Sequence, residues 1–315
     1  MDTRQPLLSI TVPCYRQLER ARLTVQTILS QSFRDFDLTL ADDGASDEYR
    51  EYAASLDDPR VHYRRNPVRL GAMKNIFAAI AAGRGKYSLA FHEDDLLGRD
   101  YLAGAVDILE EKPDCGFVAA ELHGFRDDPA AEDLARSVRS PKHELIDSDA
   151  DLLRAMFRGV EPMFGSIVYR RTAIADVTPA LDEYATLADR PFLLAILRKW
   201  SAAIVRAPLA WYRAHDAGDG RHGTMRAEHV LRLFRTYRST FPRSLDARDQ
   251  ALFFSYSGHW LVALYNLVPP AGRPSLRSFL FQAWREGLYD PRWRGRSGYK
   301  QALEAMFGMN VRTHA

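Results

Sequence analysis

The chain has 315 residues, 46% of them apolar and 27% charged, with a formal net charge of +2. That balance belongs to a globular enzyme with room for one large α/β domain or two smaller ones, and it excludes a disordered chain or a small disulfide-stapled module. The charge is unevenly spread: residues 221–315 carry 15 Lys/Arg against 6 Asp/Glu, about +9, so the preceding part is acidic. A basic C-terminal part suits an Arg-rich solvated surface, an anionic acceptor, a nucleic acid or a membrane surface.

Leu7 to Pro13 is rich in β-formers and ends at proline, as a buried first strand running into a loop would. Residues 17–31 carry apolar side chains at helical spacing, and Phe36 to Ala41 reads as a second strand. That strand ends in the acidic turn Asp42-Asp43-Gly44-Ala45-Ser46-Asp47, followed by a helix. Arg60 to Tyr63 is a short third strand, 66–71 a turn, and Ala72 to Ala82 a small-residue helix. Gly85 to Ala90 is a buried strand that runs into Phe91-His92-Glu93-Asp94-Asp95. A further strand is expected at Phe117–Ala120, an excursion over 124–150, a helix at 149–159 and a strand at 164–169. One helix is expected over 183–199, short strands at 202–205 and 209–212, and a Gly-rich turn over 214–220. Helices at 224–240, 246–268, 275–288 and 298–307 complete the reading. Strand and helix alternate up to about residue 220, which predicts a mostly parallel sheet with helices on both faces, an α/β domain over 1–220 and a helical region over 221–315.

In such sheets ligands bind beyond the carboxyl ends of the strands, a rule that collects Pro13-Cys14-Tyr15, Asp42-Asp43 and Glu93-Asp94-Asp95 on one edge. Three successive carboxylates repel one another, so gathering them suits a cation; oxygen ligands favour Mg²⁺ or Mn²⁺, ions that usually arrive with a substrate phosphate. An acidic turn that caps the next helix is the alternative. No Gly-rich dinucleotide fingerprint follows the first strand, and no Gly-Lys-Ser/Thr phosphate loop is present. The two cysteines, Cys14 and Cys115, lack metal-ligand spacing and point to a reducing compartment. The polar start shows no signal peptide, and the apolar run at 260–270 is too short to span a bilayer. The expected location is the cytoplasm, with contact at the inner face of the membrane left open.

Several motifs then fall in a telling order. They are Ser9 to Arg16 with its Pro13-Cys14-Tyr15 turn, Ile28 to Phe33, Phe36 to Asp47, then Asn66, Gly71, Lys74 and Asn75, and Gly83 to Asp95. Together they resemble the nucleotide-sugar-binding half of family 2 glycosyltransferases. The likeness thins over 124–150, returns at Phe164-Gly165-Ser166, Asp189 and His215, and covers nothing after about residue 220. It implies a GT-A fold, Rossmann-like and mostly parallel, with a helical C-terminal region. It also implies an inverting transferase that moves a sugar from a nucleotide-diphosphate donor, UDP favoured by family habit, to a hydroxyl of a glycan, glycolipid or glycoprotein.

The roles implied by the resemblance are as follows. Pro13 and Tyr15 lie beside the base, Asp42 takes a base N–H, Asp43 supports the turn or the ribose, and Lys74 lies near base or phosphate. Asp95 binds a divalent metal, Mn²⁺ or Mg²⁺, while Glu93 or Asp94 contacts ribose or the metal's water. His215, in Tyr212-Arg213-Ala214-His215, completes the metal shell or touches phosphate. Asp189 is the base that takes the acceptor proton. Apart from the resemblance, the three glycines, Arg221 and His222 of 216–225 suit a lid over the diphosphate or an interdomain linker. Three positions depart from the family pattern: Glu93 replaces an Asp, Ala188-Asp189 replaces an acidic pair, and Arg16 replaces a frequent Asn. A non-catalytic nucleotide-sugar-binding protein and a nucleotidyltransferase on a related sheet are the competing readings, and a homodimer stays open. A nucleotidyltransferase would need a basic Gly-rich loop where Pro13-Cys14-Tyr15-Arg16 stands.

Overall fold

The computed structural model describes residues 5–44, 46–126, 128–138, 140–214, 225–241 and 246–293. It contains two compact units that do not follow one cut in the chain. The first takes residues 1–146, 162–177 and 199–213; the second takes 147–161, 178–198 and 214–315.

The first unit is built on an eight-stranded sheet. Its strands are β1 (Leu8–Cys14), β2 (Phe36–Asp42), β3 (Val61–Arg65), β4 (Tyr87–Ala90), β6 (Cys115–Ala120), β8 (His143–Ile146), β9 (Val168–Arg170) and β10 (Ser201–Val205), in the order β3-β2-β1-β4-β9-β6-β10-β8. The β3-β2-β1-β4 half is parallel, as expected. β9 enters antiparallel between β4 and β6, and β8 closes the edge antiparallel to β10. β4 and β6 are buried at every residue; β6 therefore reads as a short unbroken apolar run, and the polar Ser88 of β4 donates its hydroxyl to Ile80 O (2.7 Å). A second, three-stranded sheet pairs β11 (Ala210–Arg213) with β5 (Leu96–Leu97) and β7 (His123–Phe125).

Helices α1 (Leu18–Leu29), α2 (Glu48–Ser55), α3 (Ala72–Ala82) and α4 (Tyr101–Glu111) flank the large sheet, with the short α5 (Ala131–Ala135) and α7 (Arg171–Ile174). Ala21, Val25 and Ile28 of α1 recur at helical spacing and pack into one core with Leu8, Ile10, Leu38 and Leu40. The excursion at 124–150 thus holds part of β7, α5 and β8. The expected strand at 164–169 begins instead as a 3₁₀ turn over Phe164–Ser166. The Ser166 hydroxyl donates to Met163 O (2.7 Å) and accepts from Ala120 N (3.0 Å), so that turn spends its polar groups locally.

The second unit contains α6 (Asp149–Phe157), α8 (Leu181–Tyr184), α9 (Asp189–Ile196), α10 (Ala227–Thr240), α11 (Ala247–Leu267) and α12 (Leu276–Arg285). Three of these start at side-chain caps: Ser148, Asp246 and Ser275 each accept the backbone N–H three residues on. The core is aromatic. Phe157 lies 4.6 Å from Tyr256 between ring centroids and 5.9 Å from Phe253, and Phe234 and Tyr237 are both buried. Arg154 reaches from α6 to Asp249 of α11, with Nη2 2.7 Å from Oδ2. The helix expected over 183–199 is broken. α8 stops at Tyr184, a 3₁₀ turn occupies Ala185–Leu187, and α9 starts at Asp189. Ala185 has φ 50° and ψ −125°, a backbone conformation that no helix contains. The helix expected at 298–307 lies outside the described residues.

Candidate functional site

In the first unit the carboxyl ends of β1, β2 and β4 carry the expected loops. Pro13 and Tyr15 are half-buried and Arg16 is exposed. Arg16 takes φ 59°, a left-handed conformation uncommon for a long side chain. The Tyr15 ring holds two guanidinium groups near it, Arg69 at 4.4 Å and Arg16 at 5.0 Å from the centroid.

Asp42 is 1% exposed. Its Oδ1 accepts Gly44 N (2.8 Å) and its Oδ2 accepts the Tyr63 hydroxyl (2.9 Å), with Arg65 Nε 3.6 Å away. Burial and the Asp42 carboxylate raise the Tyr63 pKa, so this hydroxyl keeps its proton as a donor. Asp43 points elsewhere. Its Oδ1 accepts Asn66 Nδ2 (3.0 Å) and Leu70 N (2.7 Å), and its Oδ2 accepts Gly71 N (2.8 Å). Asp43 therefore ties the 66–71 turn to the end of β2. Gly71, at φ 80°, lets that turn enter α3 at little steric cost. Lys74, in the first turn of α3, is exposed.

The acidic triplet is divided by direction. Glu93, 6% exposed, accepts Tyr15 N on Oε1 (2.8 Å) and the Tyr49 hydroxyl on Oε2, and Tyr49 in turn accepts Gln17 N (2.9 Å). Glu93 thus holds the backbone of the Tyr15 loop. Asp95 is fully buried. Its Oδ1 accepts Arg213 N (2.9 Å), and its Oδ2 lies 3.2 Å from His92 Nδ1, an ion pair whenever the imidazole is protonated. Burial raises the Asp95 pKa, with His92 opposing. The Thr24 hydroxyl pins the backbone of the motif at Glu93 O (2.9 Å) and Asp95 O (2.8 Å). Asp94 is half-buried and so is the most accessible of the three carboxylates. Asp95, the expected metal ligand, is turned toward His92 and Arg213, and its Oδ2 is a buried oxygen with no hydrogen-bond donor among the described residues.

His92 escaped the sequence reading. Its ring lies over Gly165, where an added Cβ would stand 3.0 Å from Nδ1. The signal was present in the spacing, a histidine three residues before a buried aspartate. Arg213 was also missed. It donates through Nε to Asp94 O (3.0 Å), pairs through Nη2 with Asp128 (2.7 Å) and stacks on Phe125 at 4.5 Å. His215 and residues 216–224 of the expected lid lie outside the described residues.

Among the described residues no group of three or more His, Cys, Asp or Glu is placed to hold a metal ion. One accessible carboxylate, Asp94, suits an ion that shares its ligands with a substrate phosphate and with water, the usual habit of Mg²⁺.

The second unit carries Asp189, at the first position of α9 with its side chain 18% exposed. Arg190 Nε lies 3.2 Å from Asp189 Oδ2, and Arg190 Nη1 lies 2.5 Å from Oε2 of Glu161, which is 1% exposed. The Tyr256 hydroxyl donates to the other Glu161 oxygen (3.3 Å). Burial raises the Asp189 pKa, and the Arg190 charge pulls it back. Arg190 itself loses from burial but is held charged, first by Glu161 and then by Asp189. The acidic partner absent at Ala188 thus has a counterpart in Glu161, 27 positions earlier in the chain. A lone Glu before Pro162 gave no sequence signal of this.

The profile of "Glycosyl transferase family 2" matches residues 9–174, more than half of the chain. The chain belongs to glycosyl transferase family 2. It is a glycosyltransferase with a GT-A fold. One relative, "Uncharacterized protein MT1568" of Mycobacterium tuberculosis, is 26% identical over 77% of this chain and 75% of its own length. A second is "GalNAc(5)-diNAcBac-PP-undecaprenol beta-1,3-glucosyltransferase" of Campylobacter jejuni, 27% identical over 36% of each chain. The latter alignment spans about a third of that relative. Among solved structures, S. aureus TarS 1-349 in complex with UDP-GlcNAc aligns with a TM-score of 0.55 at 13% identity, over 89% of this chain and 88% of that one. The mannosyltransferase PcManGT from Pyrobaculum calidifontis, in complex with GDP-Man and Mn²⁺, aligns at 0.53 and 15% identity, over 99% and 89%. At these identities the structural likeness speaks for the fold.

Proposed function

We propose that this family 2 glycosyltransferase moves a sugar, with inversion, from a nucleotide-diphosphate donor to a hydroxyl of a glycan, glycolipid or glycoprotein acceptor. The observation that carries the reading is the division of labour at the sheet edge. Glu93 holds the Tyr15 loop and Asp43 holds the 66–71 turn, which leaves Asp94 accessible in a rigid setting. UDP is the favoured donor nucleotide. The solved neighbours bound to UDP-GlcNAc and GDP-Man support a nucleotide sugar and leave the base to be measured. The Campylobacter relative, whose name gives an undecaprenol-linked acceptor, supports a lipid-linked glycan as one acceptor class.

Asp94 would hold a divalent ion, Mn²⁺ or Mg²⁺, together with the diphosphate and, in this reading, His215. When bound, such an ion supplies charge neutralisation to the leaving diphosphate without a proton donor. The protein's own groups do the rest. Tyr15 offers a ring face to the base, and its Arg16 and Arg69 neighbours bring positive charge to the nucleotide loop. Asp42, whose Oδ2 already accepts the Tyr63 hydroxyl, takes the base N–H on a remaining lone pair. Asp189 accepts the proton of the acceptor hydroxyl as it attacks, and the Arg190–Glu161 pair fixes its orientation. The raised Asp189 pKa strengthens it as a base relative to an ordinary carboxylate.

The test is calorimetric titration with UDP, dTDP and GDP, each with and without Mn²⁺, followed by donor turnover in Asp189→Asn. Metal-dependent binding of one nucleotide, with turnover reduced about 10²- to 10⁴-fold in the variant and nucleotide affinity kept, is the expected outcome. No nucleotide binding under any metal condition would end the reading.

A further inference from the structure

Among the described residues outside the site, α12 carries a surface of distinct chemistry. Its sequence, Leu-Arg-Ser-Phe-Leu-Phe-Gln-Ala-Trp-Arg, contains no acid. Phe279 and Ala283 face inward and are buried. On the outer face Phe281 and Trp284 stand one turn apart, 56% and 54% exposed, with ring centroids 5.8 Å from each other. Arg277 and Arg285 lie one turn before and one turn after Phe281, and both are exposed. Glu286, just beyond the helix, is already engaged by Arg235, with Nε to Oε2 at 2.7 Å. The stripe is therefore two adjacent large rings bracketed by two guanidinium groups, on a part of the chain that carries about +9 overall.

Such rings cost free energy in water, and an exposed pair of them on one helix face marks an interaction surface. We infer that the outer face of α12 docks on an anionic membrane surface, with Phe281 and Trp284 entering the headgroup boundary and Arg277 and Arg285 meeting acidic headgroups. Indole and phenyl rings flanked by arginines match the two solvents of that boundary, since the rings enter the apolar side and the guanidiniums stay with phosphate. A second copy of the chain fits less well. A two-fold contact through this stripe would bring Arg277 and Arg285 towards their own equivalents with no carboxylate of α12 to offset them.

The experiment is co-sedimentation of the full chain with vesicles of phosphatidylcholine alone and of phosphatidylcholine mixed with phosphatidylglycerol, at low and high salt. Binding to the anionic vesicles, weakened by salt, is expected. The double variant Arg277→Gln/Arg285→Gln should lose about five-fold per arginine, roughly 25-fold together. Phe281→Ser/Trp284→Ser should lose at least as much. Each pair is exposed, so thermal midpoints and nucleotide titrations of both variants should match the parent, which separates loss of docking from loss of fold or of the donor site. Equal binding to both vesicle types, or no loss in either variant, overturns the inference. So would a dimer that dissociates in the aromatic variant, which would assign the face to self-association. Competition by a single-stranded oligonucleotide that depends on the same four residues would overturn it in favour of nucleic acid.

Discussion

Asp94 and Asp95 are neighbours with opposite surroundings, and the difference is measurable. Asp95→Asn disturbs a fully buried group that accepts Arg213 N and faces His92, so it should lower stability by about 1–3 kcal/mol in denaturant titration. Asp94→Asn should abolish the metal dependence of nucleotide binding. If Asp95→Asn alone removed the metal effect without loss of stability, the assignment would revert to Asp95. Asp189 makes a prediction in pH. Its pKa is raised, chiefly by burial, and a base acts only when deprotonated. Turnover should therefore fall as pH drops through that raised value, with the acid limb of kcat above the range of an ordinary carboxylate; Asp189→Asn should abolish the limb with the activity. The sequence named this carboxylate and the Glu93–Asp95 cluster, yet it did not say where each points. Those directions are decided by partners far along the chain: Tyr15 lies 78 positions from Glu93, and Arg213 lies 118 from Asp95. No local pattern encodes such a pairing.

At the scale of elements, the legible parts were those with strong periodicity or unbroken burial. α3 has the expected bounds, and β1 and β2 differ by one residue at their ends. The broken 181–196 segment was not legible, because its break rests on Ala185 at φ 50°. A glycine there would have announced the turn, whereas alanine is a strong helix former. Ala185→Gly should relieve that backbone strain and raise stability by about 1 kcal/mol, as denaturant midpoints would show. Gly165 behaves in the opposite sense. A methyl group there would press on the His92 ring, so Gly165→Ala should cost about 1–3 kcal/mol and displace His92 from Asp95. A crystal structure or imidazole NMR shifts of the variant would check the displacement. The antiparallel entry of β9 was likewise invisible in the pattern, since three buried residues read the same in either direction.

At the scale of the molecule, the alternation of strand and helix implied one boundary near residue 220, while the second unit also claims 147–161 and 178–198. Periodicity reports what a segment buries, and it is silent on which partner buries it. A chain cut after residue 220 would lack α10 and α11, which supply Tyr237, Phe253 and Tyr256 around Phe157. Deleting one buried phenyl ring already costs about 3–5 kcal/mol. The truncated chain should therefore lose cooperative melting of its helical signal and aggregate, rather than behave as a trimmed transferase. The same threading sets an order of events during translation. All strands of the first unit have been made once residue 213 leaves the ribosome, whereas α6 and α9, synthesised earlier, still await their aromatic partners. The nascent chain thus carries unshielded apolar helix faces until α11 emerges, and chaperone demand should peak between those two points, where a translational pause would be most harmful.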